Sequence, residues 1–551
     1  MRANPQPAWV FAVIFIVIFL LHAPLLQLPY FWDEAGYYVP AARDLVLSGT
    51  LIPHTTVSNA HPPLVMAWIA LWWKCGGYAT VVARSAMLLI AAFALLGVFR
   101  LSQRVASTQV AIAATVCTGV YPVFFAQSSL VQVDLAAAGL TMWGVLAYIE
   151  GRHAWTAIWF SLAVMAKETA IIAPLALAVW ELGLWLGCRF GVFKENWTAS
   201  GAEAKWRGII SLLIPLLPLL GWYGYHYART GYVFGNPEFF RYNVAATLNP
   251  LRFVLALLLR LWQAFGYMHL WLLTASMLVA MWLSPLKNGE VERPRISISI
   301  QAVFLIVIFV YVVAMALVGG AVLARYLLPA IPLVIILATS TLRRRLRYWP
   351  GAVAVIAVVF VAGWFCNPPY GFAPEDNLAY RDYVILHQNA ERFLEARYPM
   401  AHVLTAWPAS DELTRPWLGY VSRPMQVVRI ENFSVEQVMS AAEFRGNYEV
   451  ALVFSTKVEP AHPLLERLET WTKLKTRFFG YERDVPAAAA ARILGGHVAL
   501  REQRGEQWVA VIEMPRNQEL FNARVQARND SAGSDPPLPL SNFASGDMSE
   551  F

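Results

Sequence analysis

The stretch "YFWDEAGYYVP", residues 30–40, follows directly on an apolar run over 8–28. Asp33 and Glu34 stand side by side between aromatic residues, at the point where a segment of hydrocarbon length ends. A solvated loop would account for such a pair, with Asp33 as a helix N-cap. The alternative is a site at the edge of a bilayer, where ionisable side chains are costly and face a cavity or a partner. The choice depends on what the rest of the chain gathers around them.

Of the 551 residues, 58% are hydrophobic and only 14% charged. Soluble domains carry about a quarter charged residues, so most of this chain belongs in lipid rather than around one aqueous core. Mean hydropathy is +0.48. The net charge of +7 is modest, and its densest cluster, Arg343, Arg344, Arg345 and Arg347, adjoins an apolar run. That placement reports membrane orientation rather than nucleic-acid binding. Cys75, Cys117, Cys188 and Cys366 all lie in or beside apolar runs, so no disulfide framework holds the polar C-terminal third.

A transmembrane helix needs about 20 apolar residues. Runs of that kind fall near 8–28, 79–99, 105–125, 133–149, 153–166, 169–188, 208–226, 266–284, 297–318, 326–342 and 349–366. The first has one basic residue ahead of it and no small-x-small cleavage site before the acidic pair, so it reads as a span and not as a signal peptide. Residues 251–283 are too long for one helix. Arg252, Ala256, Arg260 and Gln263 share one face there, which suits an interfacial helix followed by a single crossing. Residues 61–75 read likewise as an interfacial helix, with Trp72 and Trp73 at headgroup level.

The expected fold is an α-helical polytopic membrane protein of about eleven transmembrane helices with interfacial helices, carrying a soluble α/β domain at its C-terminal end. Arg100, Arg104, Arg152, the loop from Arg189 to Arg207, Lys287 to Arg295 and the Arg343–Arg347 cluster all fall on one side of this count. Positive-inside places that side in the cytoplasm with the N-terminus. Residues 367–522 then lie outside, in the periplasm of an inner (plasma) membrane protein. Strand-like bursts at 402–407, 425–430 and 449–455 alternate with helical patterns at 380–398 and 464–475, as in a layered α/β domain. From about 523 the chain is rich in Ser, Asp, Pro and Gly and reads as a disordered tail.

This topology collects ionisable residues on the outer side of the 1–366 region. They are Asp33, Glu34 and His61 in the first outer loop, Arg84 near the start of the second span, and Asp134 at the start of the fourth. Lys167 and Glu168 lie between the fifth and sixth, Arg241 precedes the amphipathic helix, and Arg325 and Tyr326 open "RYLLPAIP". Each has an ordinary explanation: Arg84 snorkels, Asp134 caps its helix, Lys167 pairs with Glu168, Arg325 and Tyr326 anchor the interface. Together they suggest an outer-leaflet cavity. An amphiphile with a phosphate head needs cations, which Arg84, Lys167 and Arg325 supply. A hydroxyl acceptor attacking a sugar carbon needs a carboxylate for its proton, a role for Asp33, with Glu34 tuning it or helping to hold a divalent metal ion.

"WDEAGYY" after the first span and "HPPL" about thirty residues on resemble the first outer loop of the GT-C glycosyltransferases, in the bacterial branch of the aminoarabinose transferase and protein O-mannosyltransferase relatives. Further similarities are the Arg of "VARSAMLL", the Asp of "VQVDLAAAGL", the Lys of "AVMAKETAIIAPLAL" and "ARYLLPAIPL", so that the resemblance covers residues 8–366. It implies a polyprenyl-phosphate sugar donor used at the outer face, with Asp33 as the essential first-loop acid and Glu34 beside it. The phosphate-binding cations would be Arg84, Lys167 and Arg325. The aminoarabinose branch carries an acid and a lysine before its proline, where this chain has Ala60 and His61; the resemblance therefore does not extend to a metal held by that acid or to aminoarabinose on lipid A. The expected activity is inverting transfer of a sugar to a hydroxyl of an outer-face lipid, glycan or protein. A transporter or flippase for a lipid-linked or anionic substrate is the alternative, but the halves show no repeat and the ionisable residues avoid the midplane. A membrane scaffold would leave their one-sided gathering unexplained.

Overall fold

The computed structural model describes residues 6–190, 202–233, 235, 249–318, 320–459 and 468–515. Each of the eleven apolar runs is helical over most of its described length. The expected eleven crossings are not established by length and composition. Among the described residues five helices pass that test: Pro7–Leu25, Thr80–Val105, Glu168–Cys188, Trp206–Thr230 and Ile298–Leu317. The bent pair Pro250–Phe265 and Leu270–Met281 makes a sixth. Polar residues shorten the others. Helix Asp134–Ile149 begins on a carboxylate, His153–Ala166 ends at Lys167, and Thr108–Val120 stops before Pro122. Protein rather than lipid covers those ends, since Asp134 and Lys167 are buried. Thr80–Val105 and Asp134–Ile149 approach so closely that a Cβ on Gly139 would stand 2.5 Å from the Ala94 Cβ, the small-residue contact that lets membrane helices pack without a hydrophobic drive.

The stretch 251–283 folds as an amphipathic helix and a second helix, bent by 78°. Met268 (φ 45°) and His269 (φ 68°) form the corner, and the Met268 N–H donates to the Tyr370 hydroxyl at 3.1 Å. The polar face that sequence placed toward water is turned inward. Arg252 donates to the carbonyls of Phe478 and Gly320, Arg260 to those of Met315, Ala321 and Leu323, and Gln263 to that of Val322. Carbonyls in the last turn of Ile298–Leu317 and in the loop after it have no helical partner, and Arg252, Arg260 and Gln263 satisfy them, Arg252 also reaching the Phe478 carbonyl. Residues 64–76 are helical as expected, but Trp73 is buried against Tyr78, with ring centroids 4.4 Å apart, instead of standing at a surface.

The C-terminal region carries a five-stranded sheet. Its strands are His402–Ala406 (β1), Gln426–Ile430 (β2), Val450–Phe454 (β3), His497–Arg504 (β4) and Gln507–Glu513 (β5), in the order β2-β1-β3-β5-β4. β1 runs parallel to β2 and β3, while β5 is antiparallel to β3 and β4. Every residue of β3 is buried, as its unbroken apolar run requires of a central strand. Helix Ala379–Arg397 packs on β4 and β5. The helical pattern at 464–475 appears as Glu469–Phe479, its first residues lying outside the described residues, as do the tail from 523 and Arg241.

This domain and the stretch 30–40 share one core. Phe31 and Trp32 meet Tyr383 at centroid distances of 5.2 and 5.6 Å, Trp32 meets Trp407 at 5.3 Å, and the Tyr420 hydroxyl donates to the Tyr30 carbonyl at 3.0 Å. Gly36 makes the contact feasible, because a Cβ there would lie 2.6 Å from the Trp407 ring. Gly36→Ala is expected to destabilise the chain by about 1–3 kcal/mol through overpacking. Thermal unfolding in detergent checks this, and Trp407→Ala in the same chain should recover some of the loss.

Candidate active site

Glu34–Tyr38 forms a wide π-type turn, preceded by Trp32 in a left-handed conformation (φ 47°). An aromatic residue is strained there, and such strain persists only where the surroundings over-determine it. The consequence is local: Asp33 and Glu34, adjacent in sequence, point at different arginines.

Glu34 is wholly buried. It accepts from the backbone N–H of Phe31 at 2.7 Å and of Val131 at 2.5 Å, and from the Arg84 guanidinium at 3.2–3.4 Å. Arg84 donates also to the carbonyls of Leu28, Pro29 and Ser129, at 3.1, 2.7 and 3.0 Å. Both side chains are 0% exposed. Arg84 does not snorkel, and both oxygens of Glu34 are engaged. The pair ties the end of the first helix to the second and to the chain before Asp134.

Asp33 belongs to another network. Its Oδ2 accepts from Arg325 Nη2 at 2.5 Å. Arg325 sits in the short turn Ala324–Leu327 and donates through Nη1 to Gln132 (2.6 Å) and Glu375 (2.8 Å), with Asp134 Oδ2 3.4 Å from its Nε. Asp134 starts its helix without capping it; its Oδ1 accepts from Lys167 Nζ at 2.5 Å. Lys167 in turn lies 3.8 Å from the centre of the Tyr326 ring, a cation–π contact. Lys167 and Glu168 thus do not pair with each other. Glu168 accepts from or donates to His61 Nδ1 at 2.8 Å according to their protonation, and Tyr38 lies beside that histidine, 5.9 Å between ring centres.

The structure therefore brings together Asp33, Asp134, Lys167, Arg325 and Tyr326, sets His61 and Glu168 in a separate pair, and holds Glu34 and Arg84 apart in a closed brace. Within the cluster the Asp33 side chain keeps 20% exposure, whereas those of Arg325, Asp134, Lys167 and Glu375 keep 3–6%. Asp33 is the carboxylate that an incoming molecule can reach. Sequence reading missed Gln132, an amide inside an apolar run, and Glu375, which arrives from the link into the C-terminal domain. Burial raises the Glu375 carboxyl above the usual carboxylate range. It pushes neighbouring Asp376 up to about 7, helped by the charge of Glu375. Asp376 also accepts from the Tyr267 hydroxyl at 2.6 Å.

Asp33 and Glu34 do not converge on a common cation position, since separate arginines hold them. Among the described residues, the one set of three His, Cys, Asp or Glu side chains spaced to hold a metal is His387, Glu391 and Glu412, in the C-terminal domain.

ArnT from Cupriavidus metallidurans, bound to undecaprenyl phosphate, superposes with a TM-score of 0.53, covering 92% of this chain and 98% of that chain at 14% identity. Its apo form gives 0.52 at 15% identity over the same shares. The Archaeoglobus fulgidus oligosaccharyltransferase in complex with Zn and sulfate is looser, with a TM-score of 0.43 at 13% identity over 80% of this chain and 67% of that chain. No protein-family model matches the chain, and no curated protein matches it in sequence. The chain has the fold of the GT-C glycosyltransferases, built on a multi-pass helical bundle.

Because Glu34 neutralises a fully buried guanidinium, Glu34→Gln should destabilise the chain by about 3–5 kcal/mol, the cost of leaving one partner of a buried ion pair uncompensated. The yield of monodisperse protein and its unfolding midpoint, compared with those of Asp33→Asn, are the readouts. Asp33, partly exposed, should tolerate its change with little loss of stability.

Proposed function

We propose that the chain is an inverting glycosyltransferase. It would move a sugar from a polyprenyl-phosphate donor to a hydroxyl on an acceptor at the outer face of the membrane, where the C-terminal domain then also lies. The observation that carries this reading is the placement of Asp33, a partly exposed carboxylate latched to a buried arginine beside a buried lysine. The ArnT fold, in a protein seen with undecaprenyl phosphate, supports a lipid-phosphate donor.

The charges indicate how the site would work. Asp33, Asp134 and Glu375 face Arg325 and Lys167, so both cations are already paired without substrate. A donor phosphate would compete with these carboxylates for the two cations, because charge-assisted bonds to phosphate suit both guanidinium and ammonium. Exchange at Arg325 would release Asp33 from its 2.5 Å bond and leave it free to accept a proton. The acceptor oxygen then attacks the anomeric carbon from the face opposite the phosphate, and its proton passes to Asp33. The bond from that carbon to the phosphate oxygen breaks, and Arg325 and Lys167 stabilise the lipid phosphate that leaves. Single displacement inverts the anomeric centre. Gathering of the cluster at one end of the bundle, beside the C-terminal domain, favours this reading over a flippase, which needs groups along the whole path.

A reconstituted assay with a radiolabelled polyprenyl-phosphate sugar tests the proposal. Asp33→Asn should lower the transfer rate by about 10²–10⁴-fold, the contribution of a positioned general base, while donor binding persists. Lys167→Ala should act mainly by weakening donor binding. Full transfer by Asp33→Asn would refute the role assigned to it.

A further inference from the structure

His387 and Glu391 lie one turn apart on helix Ala379–Arg397, and Glu412 reaches them from the short helix Ala409–Thr414. His387 Nδ1 is 2.6 Å from Glu412 Oε2 and 3.7 Å from Glu391 Oε1. One ligand atom from each residue lies within 4.8 Å of the other two. All three side chains are buried: His387 is 1% exposed, Glu391 and Glu412 0%.

The site is under-satisfied. Both oxygens of Glu391, Glu412 Oε1 and His387 Nε2 are buried with no hydrogen-bond partner, as are the hydroxyls of Tyr383 and Ser410. Buried polar atoms are rarely left so, and each orphan calls for an explanation such as an absent ion. Among the described residues no lysine or arginine forms an ion pair with either glutamate; the imidazole is their only basic partner. Two carboxylates share one imidazole in a dry interior, and proteins avoid burying ionised carboxylates there unless each is paired or bound to metal. A divalent cation compensates both and gives the orphaned oxygens a partner.

We propose that His387, Glu391 and Glu412 bind a divalent first-row transition-metal cation, of which Zn²⁺ is the type. One imidazole nitrogen and two carboxylate oxygens suit Zn²⁺, Mn²⁺ or Fe²⁺. The absence of thiolate from the set disfavours Cu(I), and the imidazole disfavours Mg²⁺ and Ca²⁺. The role is structural. Tyr383 stacks on His387 with ring centroids 3.9 Å apart and meets Phe31 and Trp32 with its other contacts, at 5.2 and 5.6 Å. A cation here stiffens the surface on which the Asp33 loop rests, without touching the reacting groups. The site is independent of the activity proposed above.

The test uses the full chain in detergent, stripped with a chelator, reloaded with Zn²⁺ and freed of excess by gel filtration. Elemental analysis should find about one Zn²⁺ per wild-type chain and none at this site in Glu391→Gln, and Zn²⁺ should raise the unfolding midpoint of the wild type alone. Glu391→Gln resembles the protonated carboxyl in shape, so its elution profile should stay that of the wild type. Should it misfold, Co²⁺ loading of the wild type still decides, through the visible d–d bands of an imidazole–carboxylate site. Equal Zn²⁺ retention by wild type and Glu391→Gln, a wild-type midpoint indifferent to Zn²⁺, or no Co²⁺ bands would each overturn the proposal.

Discussion

A guanidinium can be buried only where acceptors and opposite charges meet it, and Arg325 draws them from three separate regions of the chain. Asp33 comes from the loop after the first apolar helix, Gln132 and Asp134 from the start of the fourth, and Glu375 from the link into the sheet region. Losing Asp33, Gln132 or Glu375 would leave a charged donor short of a partner in a dry place. The bundle, the loop and the C-terminal domain are thereby pinned to one another at the point where the chemistry is proposed. Arg84 does the same a layer deeper, where Glu34 and three backbone carbonyls close around it. The strained Trp32 separates the two systems by turning neighbouring acids in different directions.

Sequence carried the class of the fold well, because helix-length apolar runs and the strand-helix alternation after 367 are local signals that burial does not alter. The count of eleven spans is not confirmed by helix length and composition. Helices ending at Asp134, Lys167 or Pro122 are shorter than a bilayer because their ends lie against protein, and hydropathy cannot distinguish a lipid neighbour from a protein one. The same limit explains the helix at 250–265. Its polar face is amphipathic either way, and only the fold shows that Arg252, Arg260 and Gln263 serve loop carbonyls rather than water.

The site was legible in its charged members and illegible in its pairing. Motif order marked Asp33, Asp134, Lys167 and Arg325, and they do meet. Nothing in the sequence could separate Asp33 from Glu34, since the difference lies in how the backbone turns between them. Lys167 beside Glu168 invited a pair that the extended Lys167 backbone prevents, sending one side chain to Asp134 and the other to His61. Gln132 carries no charge to flag it, and Glu375 lies in a stretch that composition assigns to another domain. His387 and Glu391 stand at helical spacing, yet Glu412 joins them only through the tertiary fold.

In the proposed function Arg325 and Lys167 form a phosphate-binding pair that Asp33 guards. Electron cryo-microscopy of the chain in lipid nanodiscs with added undecaprenyl phosphate tests this most directly. The expected map shows the phosphate within hydrogen-bonding distance of the Lys167 ammonium and the Arg325 guanidinium, with Asp33 released toward the open side. A phosphate bound elsewhere, with the Asp33–Arg325 bond intact, would contradict it.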